Sequence, residues 1–203
     1  MDFFIFRRIF DPSMRIQKMG RIMTTSDFTQ ELHFITTTVV DWIDVFTRPD
    51  YKRIVVDSLS FCQLNKGLDI YAWVLMTNHL HMIAGTKESA SSMGDVIRDF
   101  CKFTSKSVVK AISENPRESR REWMLDRFRF RGANDSKISQ FRFWQEGYYS
   151  ETISSRQFYR QKLEYIHMNP VRQGIVDRPE NYLYSSASDY SGERGLIDVI
   201  VLP

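Results

Sequence analysis

Hydrophobic and polar positions follow the period of a strand in some stretches of the chain and the period of a helix in others. Residues 31–40 are rich in β-branched side chains and predict a first strand, in which we interpret His33 as structural. From Pro49 to residue 64 apolar positions recur at helical spacing, and the run Asn-Lys-Gly at 65–67 is typical of a helix end. The sequence therefore predicts a strand followed by a helix.

Two short apolar runs come next, at 68–75 and 79–84, separated by the three residues 76–78. So short a connection predicts an antiparallel hairpin. Side chains two apart in a strand point to the same face, so we expect His79 and His81 side by side. Two imidazoles in that arrangement suit a metal site, and two surface histidines on a half-exposed strand have the same pattern.

The longest helical pattern covers residues 89–115, with an apolar stripe at three- and four-residue steps. Cationic residues recur every four positions along another face of this predicted helix. They are Arg98, Lys102, Lys106 and Lys110. Evenly spaced cations can bind the phosphates of a nucleic acid, and a solvated helix face has the same composition.

Residues 117–142 form a basic stretch of weak periodicity, with eight Lys or Arg against four acidic residues and aromatic side chains between them. Arginines interleaved with aromatic residues suit single-stranded nucleic acid, whose bases stack on rings. A flexible insertion with a short amphipathic helix is the alternative. The candidate DNA-binding residues of this stretch are Arg127, Arg129 and Arg131.

The last third of the sequence predicts a strand and a helix. Residues 141–144 suit a fourth strand, and Ser154 or Ser155 is placed to cap a helix that ends near Met168, before Pro170. The order β-α-β-β-α-β-α, with a hairpin at its centre, excludes a doubly wound parallel sheet. It favours an α+β fold, a ferredoxin-like split-βαβ sandwich with a central antiparallel sheet, helices packed on it, and a C-terminal extension.

Length and composition indicate one domain with additions, since the chain has 203 residues and 42% of them are hydrophobic. We expect a poorly ordered N-terminal extension at 1–29 and a single domain at 30–190 with a basic insertion at 116–142. A C-terminal tail at 191–203 follows, whose segment 196–202 is interpreted as a strand or tail.

No apolar run of the sequence approaches the roughly 18 residues of a membrane span. No signal peptide is recognised, and the two cysteines lie in helical patterns, so we expect reduced thiols and a cytoplasmic location. The net charge of +3 permits a nucleic-acid partner without requiring one.

The last predicted helix carries Tyr165 and Asn169, four residues apart and therefore on one face. A tyrosine hydroxyl can act as a nucleophile, and an amide oxygen can complete a metal site begun by two histidines. Tyrosines that only pack on a helix face have the same spacing, and we interpret His167, which faces away from Tyr165, as a surface or structural histidine.

Three separated segments resemble one family of enzymes. Residues 73–83 (WVLMTNHLHMI) resemble the His-hydrophobic-His (HUH) motif of single-tyrosine transposases. Residues 143–147 (FWQEG) with 163–176 (LEYIHMNPVRQGIV), and then 182–187 (YLYSSA), resemble the segments of the REP-associated branch in the same order. The sequence departs from the family where Thr77 replaces the common proline before the asparagine.

The resemblance implies an enzyme that cleaves and rejoins single-stranded DNA beside short, REP-like hairpins during transposition. It implies Tyr165 as the nucleophile that forms a 5′-phosphotyrosine, and His79 and His81 as ligands of Mg²⁺ or Mn²⁺. Asn169 is the expected third ligand, although other members of the wider family place a glutamine there.

Two alternatives come from different classes of protein. A domesticated or inactive module would bind hairpin DNA without cleaving it, and a metal-dependent nuclease would use water instead of Tyr165. The resemblance also implies a bacterial-type protein of the nucleoid. It leaves both a monomer and a homodimer open, because dimers with shared sites occur in the wider family and monomers in the REP-associated branch.

Overall fold

The computed structural model describes residues 31–87, 91–133 and 140–202, so the extension predicted for 1–29 lies outside the described residues. The strands and helices follow one another along the chain in the order β-α-β-β-α-α-β-α-α. They are β1 His33–Thr38, α1 Pro49–Lys66, β2 Leu68–Leu75, β3 His79–Thr86, α2 Met93–Glu114, α3 Arg121–Ala133, β4 Tyr149–Thr152, α4 Arg156–Arg172 and α5 Ala187–Tyr190. Short 3₁₀ turns occupy Val40–Trp42 and Pro179–Asn181.

The four strands form one antiparallel sheet in the order β2-β3-β1-β4. The hairpin β2–β3 places β3 between β2 and β1, which is the split-βαβ arrangement. This confirms the predicted α+β fold with a central antiparallel sheet. The two central strands, β1 and β3, pair in a register that sets Thr36 opposite His81 and Thr38 opposite His79.

Each face of the sheet has its own hydrophobic core. Ile35, Leu80 and Met82 pack with the apolar stripes of α1, α2 and α3 on one face. On the other face, Phe34 and Ile83 pack with α4 and the C-terminal segment. Because side chains of β3 alternate, the odd-numbered positions that include both histidines face α4.

The ends of α1 follow the sequence signals. Pro49 stands in the first turn, and Gly67 ends the helix with a φ of 69°, a left-handed conformation that a glycine adopts without a Cβ clash. In α2, Ser92 caps the N-terminus by accepting a hydrogen bond from the Asp95 amide at 3.2 Å. The residue at which the longest helix was expected to begin, 89, lies outside the described residues.

The predicted fourth strand at 141–144 is wrong, since β4 lies at Tyr149–Thr152. Trp144 makes a single antiparallel bridge with Val39, while Phe143 and Trp144 are buried in the core under α3. Their hydrophobicity reflects that burial. The true strand is an edge strand with mostly exposed polar residues, so hydrophobic alternation does not reveal it.

The expected end of the last helix before Pro170 is also wrong, because α4 continues to Arg172. A proline lacks the amide that would donate to the carbonyl four residues earlier. Pro170 stands only two residues before the helix ends, where its ring is buried and its own carbonyl accepts from Ile175 N at 2.9 Å. Burial of the ring and this bond are consistent with a proline in the last turn.

The basic stretch contains α3, a 13-residue helix. Met124, Leu125 and Phe128 are buried in the core of the α1–α2 face, so the helix is packed on the domain. The C-terminal segment has no regular strand among the described residues, yet Ile197 and Leu202 are buried and Ile200 N donates to Ile70 O at 2.9 Å. The domain boundaries themselves stay predictions.

Candidate functional site

The two histidines of β3 lie side by side, with ring centroids 4.6 Å apart. Their side chains face α4, and His79 and His81 are 7% and 6% exposed. Neither is therefore a surface histidine. Strand alternation predicted this pairing, and burial distinguishes it from two exposed side chains.

Each imidazole is oriented by a hydrogen bond at Nδ1. Thr36 Oγ1 lies 2.7 Å from Nδ1 of His81, directly across the β1–β3 ladder. Asn78 Oδ1 lies 2.6 Å from Nδ1 of His79. An amide oxygen accepts, so Nδ1 of His79 donates, which fixes the tautomer and leaves its Nε2 lone pair available to a metal.

Both imidazoles are neutral at physiological pH. Burial lowers the pKa of His79 to about 4, which the nearby Asp44 opposes. Burial lowers the pKa of His81 to about 3, with smaller contributions from His79 and from the positive charge of Lys162. The neutral imidazole is the form that binds a metal ion.

Helix α4 brings Tyr165 to this pair. Its hydroxyl lies 3.4 Å from Nε2 of His81, and the two ring centroids are 5.1 Å apart. Tyr165 is 38% exposed, so the hydroxyl is accessible to a large substrate. The helix begins at the N-cap Ser155, whose hydroxyl accepts from Phe158 N at 3.1 Å, as the sequence predicted.

Asn169 lies one helical turn beyond Tyr165 on α4 and is 7% exposed. Its side-chain oxygen accepts a hydrogen bond from Gln173 Nε2 at 3.3 Å. Within the described residues no group of three or more His, Cys, Asp or Glu is placed to hold a metal. Among the described residues, a third protein ligand beside the two histidines would therefore be an amide or hydroxyl oxygen. Asn169 has such an oxygen, and its role as a ligand stays a prediction.

A cavity of about 400 Å³ opens in front of His81 and Tyr165. Its walls come from β1, β3, β4 and α4. They are Phe34, Thr36, His81, Tyr149, Gln161, Lys162, Glu164, Tyr165 and Arg172. Two of these residues are cations that the sequence analysis missed, although Lys162 and Arg172 stand three before and seven after Tyr165, both helical steps on its face.

The two cations lie close to the candidate nucleophile and its neighbours. The Arg172 guanidinium carbon is 6.0 Å from the centroid of the Tyr165 ring. Lys162 Nζ pairs with Glu151 at 2.9 Å and lies 4.3 Å from the centroid of the Phe34 ring. The α4 wall of the cavity therefore carries two cations, Lys162 and Arg172, and one acid, Glu164.

The predicted cationic face of α2 is not brought to this cavity, because α2 packs on the opposite face of the sheet. Arg98 pairs with Asp95 at 2.5 Å and Lys110 with Glu114 at 3.8 Å. Lys102 and Lys106 are exposed. DNA binding by these four residues stays a prediction.

The three candidate arginines of α3 all have partners within the protein. Arg127 Nη2 lies 2.7 Å from the Asp41 carboxylate, and Arg131 Nε lies 2.8 Å from its other oxygen. Arg129 pairs with Asp126 at 2.8 Å and lies 5.4 Å from the centroid of the Phe141 ring. Their predicted role in DNA binding is untested, and these contacts give Arg127 and Arg131 a structural one.

Two histidines outside the site have structural contacts. His167 Nε2 lies 2.9 Å from Ser186 Oγ, and burial lowers its pKa to about 4. His33 lies 3.5 Å from Ser150 Oγ on β4. Both contacts agree with their interpretation as structural residues.

The arrangement of sheet and helices is similar to that of two solved structures. The first is a REP-associated tyrosine transposase bound to a REP hairpin, with 15% sequence identity, a TM-score of 0.58 and coverage of 91% of this chain and 92% of that one. The two proteins share a fold. The second, a Deinococcus radiodurans R1 protein assigned as a transposase, has 15% identity, a TM-score of 0.41 and coverage of 74% and 95%.

No family model matches the sequence, and no curated protein does so either. Among the described residues, no helix combines the length and apolar character needed to cross a membrane. The likeness to the REP-associated transposase establishes the fold.

Proposed function

We propose that this protein is a metal-dependent enzyme that cleaves and rejoins single-stranded DNA through a 5′-phosphotyrosine on Tyr165. The observation that carries the proposal is the contact between the Tyr165 hydroxyl and Nε2 of His81, 3.4 Å apart in a cavity that Lys162 and Arg172 also line. An exposed phenol held against two buried neutral imidazoles suits a nucleophile beside a metal site.

His79, His81 and Asn169 are the residues that would hold the metal, with Mg²⁺ or Mn²⁺ favoured by the amide oxygen. When bound there, the ion supplies Lewis-acid chemistry, neutralising charge on the oxygens of the scissile phosphate. Nε2 of His81, which would bind the metal, also lies 3.4 Å from the Tyr165 hydroxyl, so the phenol and the metal site would be adjacent.

Tyr165 performs the covalent step in this mechanism. Its oxygen forms a bond to the phosphorus while the bond from phosphorus to the 3′ oxygen of the preceding nucleotide breaks. The phenol proton is lost to solvent, and the leaving oxygen takes up a proton to give a 3′-hydroxyl. The new phosphotyrosine is also a phosphodiester, so another 3′-hydroxyl can reverse the step without an external energy source.

Lys162 and Arg172 assist from the wall of the cavity. Neither charge requires the metal, and both lie where a phosphate approaching Tyr165 would pass. A guanidinium beside the phenol can neutralise charge on the phosphate that the phenol attacks, and an ammonium near His81 attracts the DNA backbone. Arg172 is thus a candidate to stabilise the transition state, and Lys162 a candidate to bind phosphate.

Hairpin DNA is the proposed substrate because the protein with the same fold binds a REP hairpin. The proposed reaction is that of DNA transposition, carried out on the nucleoid in a bacterial-type cytoplasm. The protein acts either as a monomer or as a homodimer, and the contacts within one chain already bring Tyr165 to His81.

The test is a covalent adduct. The protein is incubated with Mn²⁺ and a pool of 5′- and 3′-labelled oligonucleotides that each carry a short hairpin flanked by randomised single strands. Denaturing gels and mass spectrometry should show a DNA fragment attached at residue 165. Tyr165→Phe should abolish the adduct. The matched control is Tyr149→Phe, because Tyr149 is the other tyrosine of the cavity and is 57% exposed.

Each alternative has its own outcome in this assay. Hairpin binding without cleavage by the intact protein would indicate a binding module. Cleaved DNA with no attached protein would indicate attack by water. An adduct that survives in Tyr165→Phe and disappears in Tyr149→Phe would identify Tyr149 as the nucleophile and contradict the assignment of Tyr165.

A further inference from the structure

The turn after β1 holds two consecutive residues in a conformation that side chains rarely adopt. Asp41 has φ 54° and ψ 19°, and Trp42 has φ 54°. In this left-handed region the Cβ crowds the following carbonyl, so residues other than glycine are uncommon there. Such residues persist where the surrounding structure holds them, and they concentrate at functional sites.

Four contacts hold this turn in place. The guanidinium groups of Arg127 and Arg131 both bind the Asp41 carboxylate, one at each oxygen. The amide of Trp42 donates to Val39 O at 3.1 Å. Its carbonyl accepts from Asn78 Nδ2 at 3.1 Å, and the other atom of that side-chain amide contacts His79 Nδ1. Asn78 therefore fixes the turn and His79 together.

The side chain displayed by this turn is a tryptophan in solvent. Trp42 is 60% exposed, while Val40 and Ile43 on either side of it are 3% and 4% exposed. The apolar area of the ring is thus largely unused by the core. A strained and well-anchored turn that presents an aromatic ring to solvent is better explained by a partner than by stability.

The ring of Trp42 ends a row of aromatic groups that leads to the candidate nucleophile. Its centroid is 6.1 Å from that of His79, with the planes at 71°. His79 is 4.6 Å from His81, and His81 is 5.1 Å from Tyr165. The two histidines therefore lie between Trp42 and Tyr165.

The geometry of the proposed reaction predicts which part of the DNA lies beside Trp42. In an in-line displacement the attacking and leaving oxygens lie on opposite sides of the phosphorus. With the phosphate at the two histidines and Tyr165 attacking from one side, the nucleotide that leaves with the 3′-hydroxyl lies towards Trp42. Unpaired bases stack on exposed aromatic rings whatever their sequence.

We propose that Trp42 is a stacking platform for the unpaired base immediately 5′ of the scissile phosphate, an inference that rests on the function proposed above. The platform keeps the freed 3′-hydroxyl strand at the site after cleavage, so that this strand remains available for rejoining. Arg127 and Arg131 act through the turn, by holding Asp41. Substitution of either arginine would then weaken DNA binding without a direct contact to phosphate.

The first experiment measures stacking without requiring cleavage. Trp42→Phe and Trp42→Leu are compared with the unaltered protein in binding 5′-fluorescein-labelled oligothymidylate of 12 nucleotides. Leucine keeps an apolar side chain but has no ring, so we expect affinity to fall about tenfold, whereas phenylalanine stays within about threefold. Trp123→Leu on α3 is the matched control, since Trp123 is 53% exposed and should give a change below about twofold.

Fluorescence and an abasic probe complete this measurement. Binding of the oligothymidylate should quench tryptophan emission in the unaltered protein, and Trp42→Leu should lose most of that quenching. A 12-residue abasic strand should bind the unaltered protein and Trp42→Leu equally. Equal affinity of Trp42→Leu and the unaltered protein for oligothymidylate, or no binding at all, would overturn the platform.

The second experiment locates the base in a hairpin oligonucleotide recovered from the adduct assay. An abasic site just 5′ of the cleaved phosphate should lower rejoining about tenfold in the unaltered protein and cause no further loss in Trp42→Leu. An abasic site just 3′ of it should lower rejoining equally in both proteins. The reverse pattern would overturn the assignment of the 5′ side. If the unaltered protein forms no adduct but still binds oligothymidylate through Trp42, the proposed cleavage function alone is overturned.

Discussion

The hydroxyl of Tyr165 lies 3.4 Å from Nε2 of His81, although 84 residues separate them in the sequence. The contact joins the α4 helix to a central strand of the sheet. The histidine is buried and oriented by Thr36, and the tyrosine is half-exposed. One partner is thus fixed by the core of the domain, and the other is open to a substrate.

Thr36→Val should weaken metal binding by about 10- to 100-fold, the range found when a partner of a ligating histidine is removed. Valine keeps the shape of threonine but offers no oxygen to Nδ1 of His81, which lies 2.7 Å from Thr36 Oγ1. The measurement is a calorimetric titration with Mn²⁺.

Thr37→Val is the matched control for this substitution. Within the described residues the buried Thr37 hydroxyl has no hydrogen-bond partner, and the residue faces away from the site. We expect unchanged Mn²⁺ affinity and equal or slightly higher stability. If both variants bound Mn²⁺ equally weakly, the loss would result from a change in strand β1 and not from loss of the hydrogen bond to His81.

Half of this site could be predicted from local sequence. Two histidines at strand spacing and a tyrosine four residues before an asparagine are periodic patterns, and each puts its members on one face. Thr36 could not be predicted in the same way. Its place opposite His81 depends on the pairing of β1 with β3. These two strands are separated in the sequence by α1 and β2.

Ion pairs between residues distant in the sequence could not be predicted either, because they also depend on the tertiary fold. The basic composition of α3 suggested phosphate contacts, but Arg127 and Arg131 reach Asp41, from which they are 86 and 90 residues distant. A charge in a sequence has no visible partner until the fold brings one. Composition alone therefore does not show which of these cations have partners within the protein.

Arg172→Gln should slow formation of the Tyr165 adduct about tenfold at neutral pH, equivalent to about 1.4 kcal/mol in the barrier. The guanidinium carbon lies 6.0 Å from the Tyr165 ring centroid, where its charge can stabilise the phosphate that Tyr165 attacks. The loss should shrink as the salt concentration is raised, because salt screens the charge of the cation in the unaltered protein. Rates of adduct formation at low and high salt test this.

Arg160→Gln provides the comparison for Arg172→Gln. Arg160 is exposed on the same helix but stands five positions before Tyr165, away from its face. Its substitution should change the rate by less than about twofold. A loss in Arg172→Gln that is the same at low and high salt would argue against an electrostatic role for the guanidinium.

Neutralising Lys102 and Lys106 together should leave adduct formation on a short single strand within about twofold of the unaltered rate. Both residues are exposed on α2, which packs on the face of the sheet opposite Tyr165. Lys162→Gln, at the cavity, should lower the yield several-fold at the same DNA concentration. If the double variant lost more activity than Lys162→Gln, the DNA would have to pass over α2.

Glu118→Gln should destabilise the domain by about 2 kcal/mol, at the low end for breaking a buried ion pair because its partners are partly exposed. The Glu118 side chain is 1% exposed and binds Arg48 at 2.5 Å and Arg120 at 3.3 Å. These contacts join the residue before α1 to the residue before α3. Urea unfolding followed by circular dichroism measures the loss, and Glu122→Gln, 88% exposed, should cost less than about 0.5 kcal/mol.

The stability difference between Glu118→Gln and the unaltered protein should also depend on pH. Burial disfavours the ionised Glu118, but its hydrogen bonds from Arg48 and Arg120 outweigh burial and lower its pKa. A lowered folded-state pKa stabilises the protein fully above the unfolded-state value of 4.5, and that contribution is lost as the pH falls below it. Unfolding curves should therefore differ most near pH 7 and converge in acid. A difference that stayed constant down to pH 3 would mean that the amide perturbs packing and that the carboxylate charge contributes little.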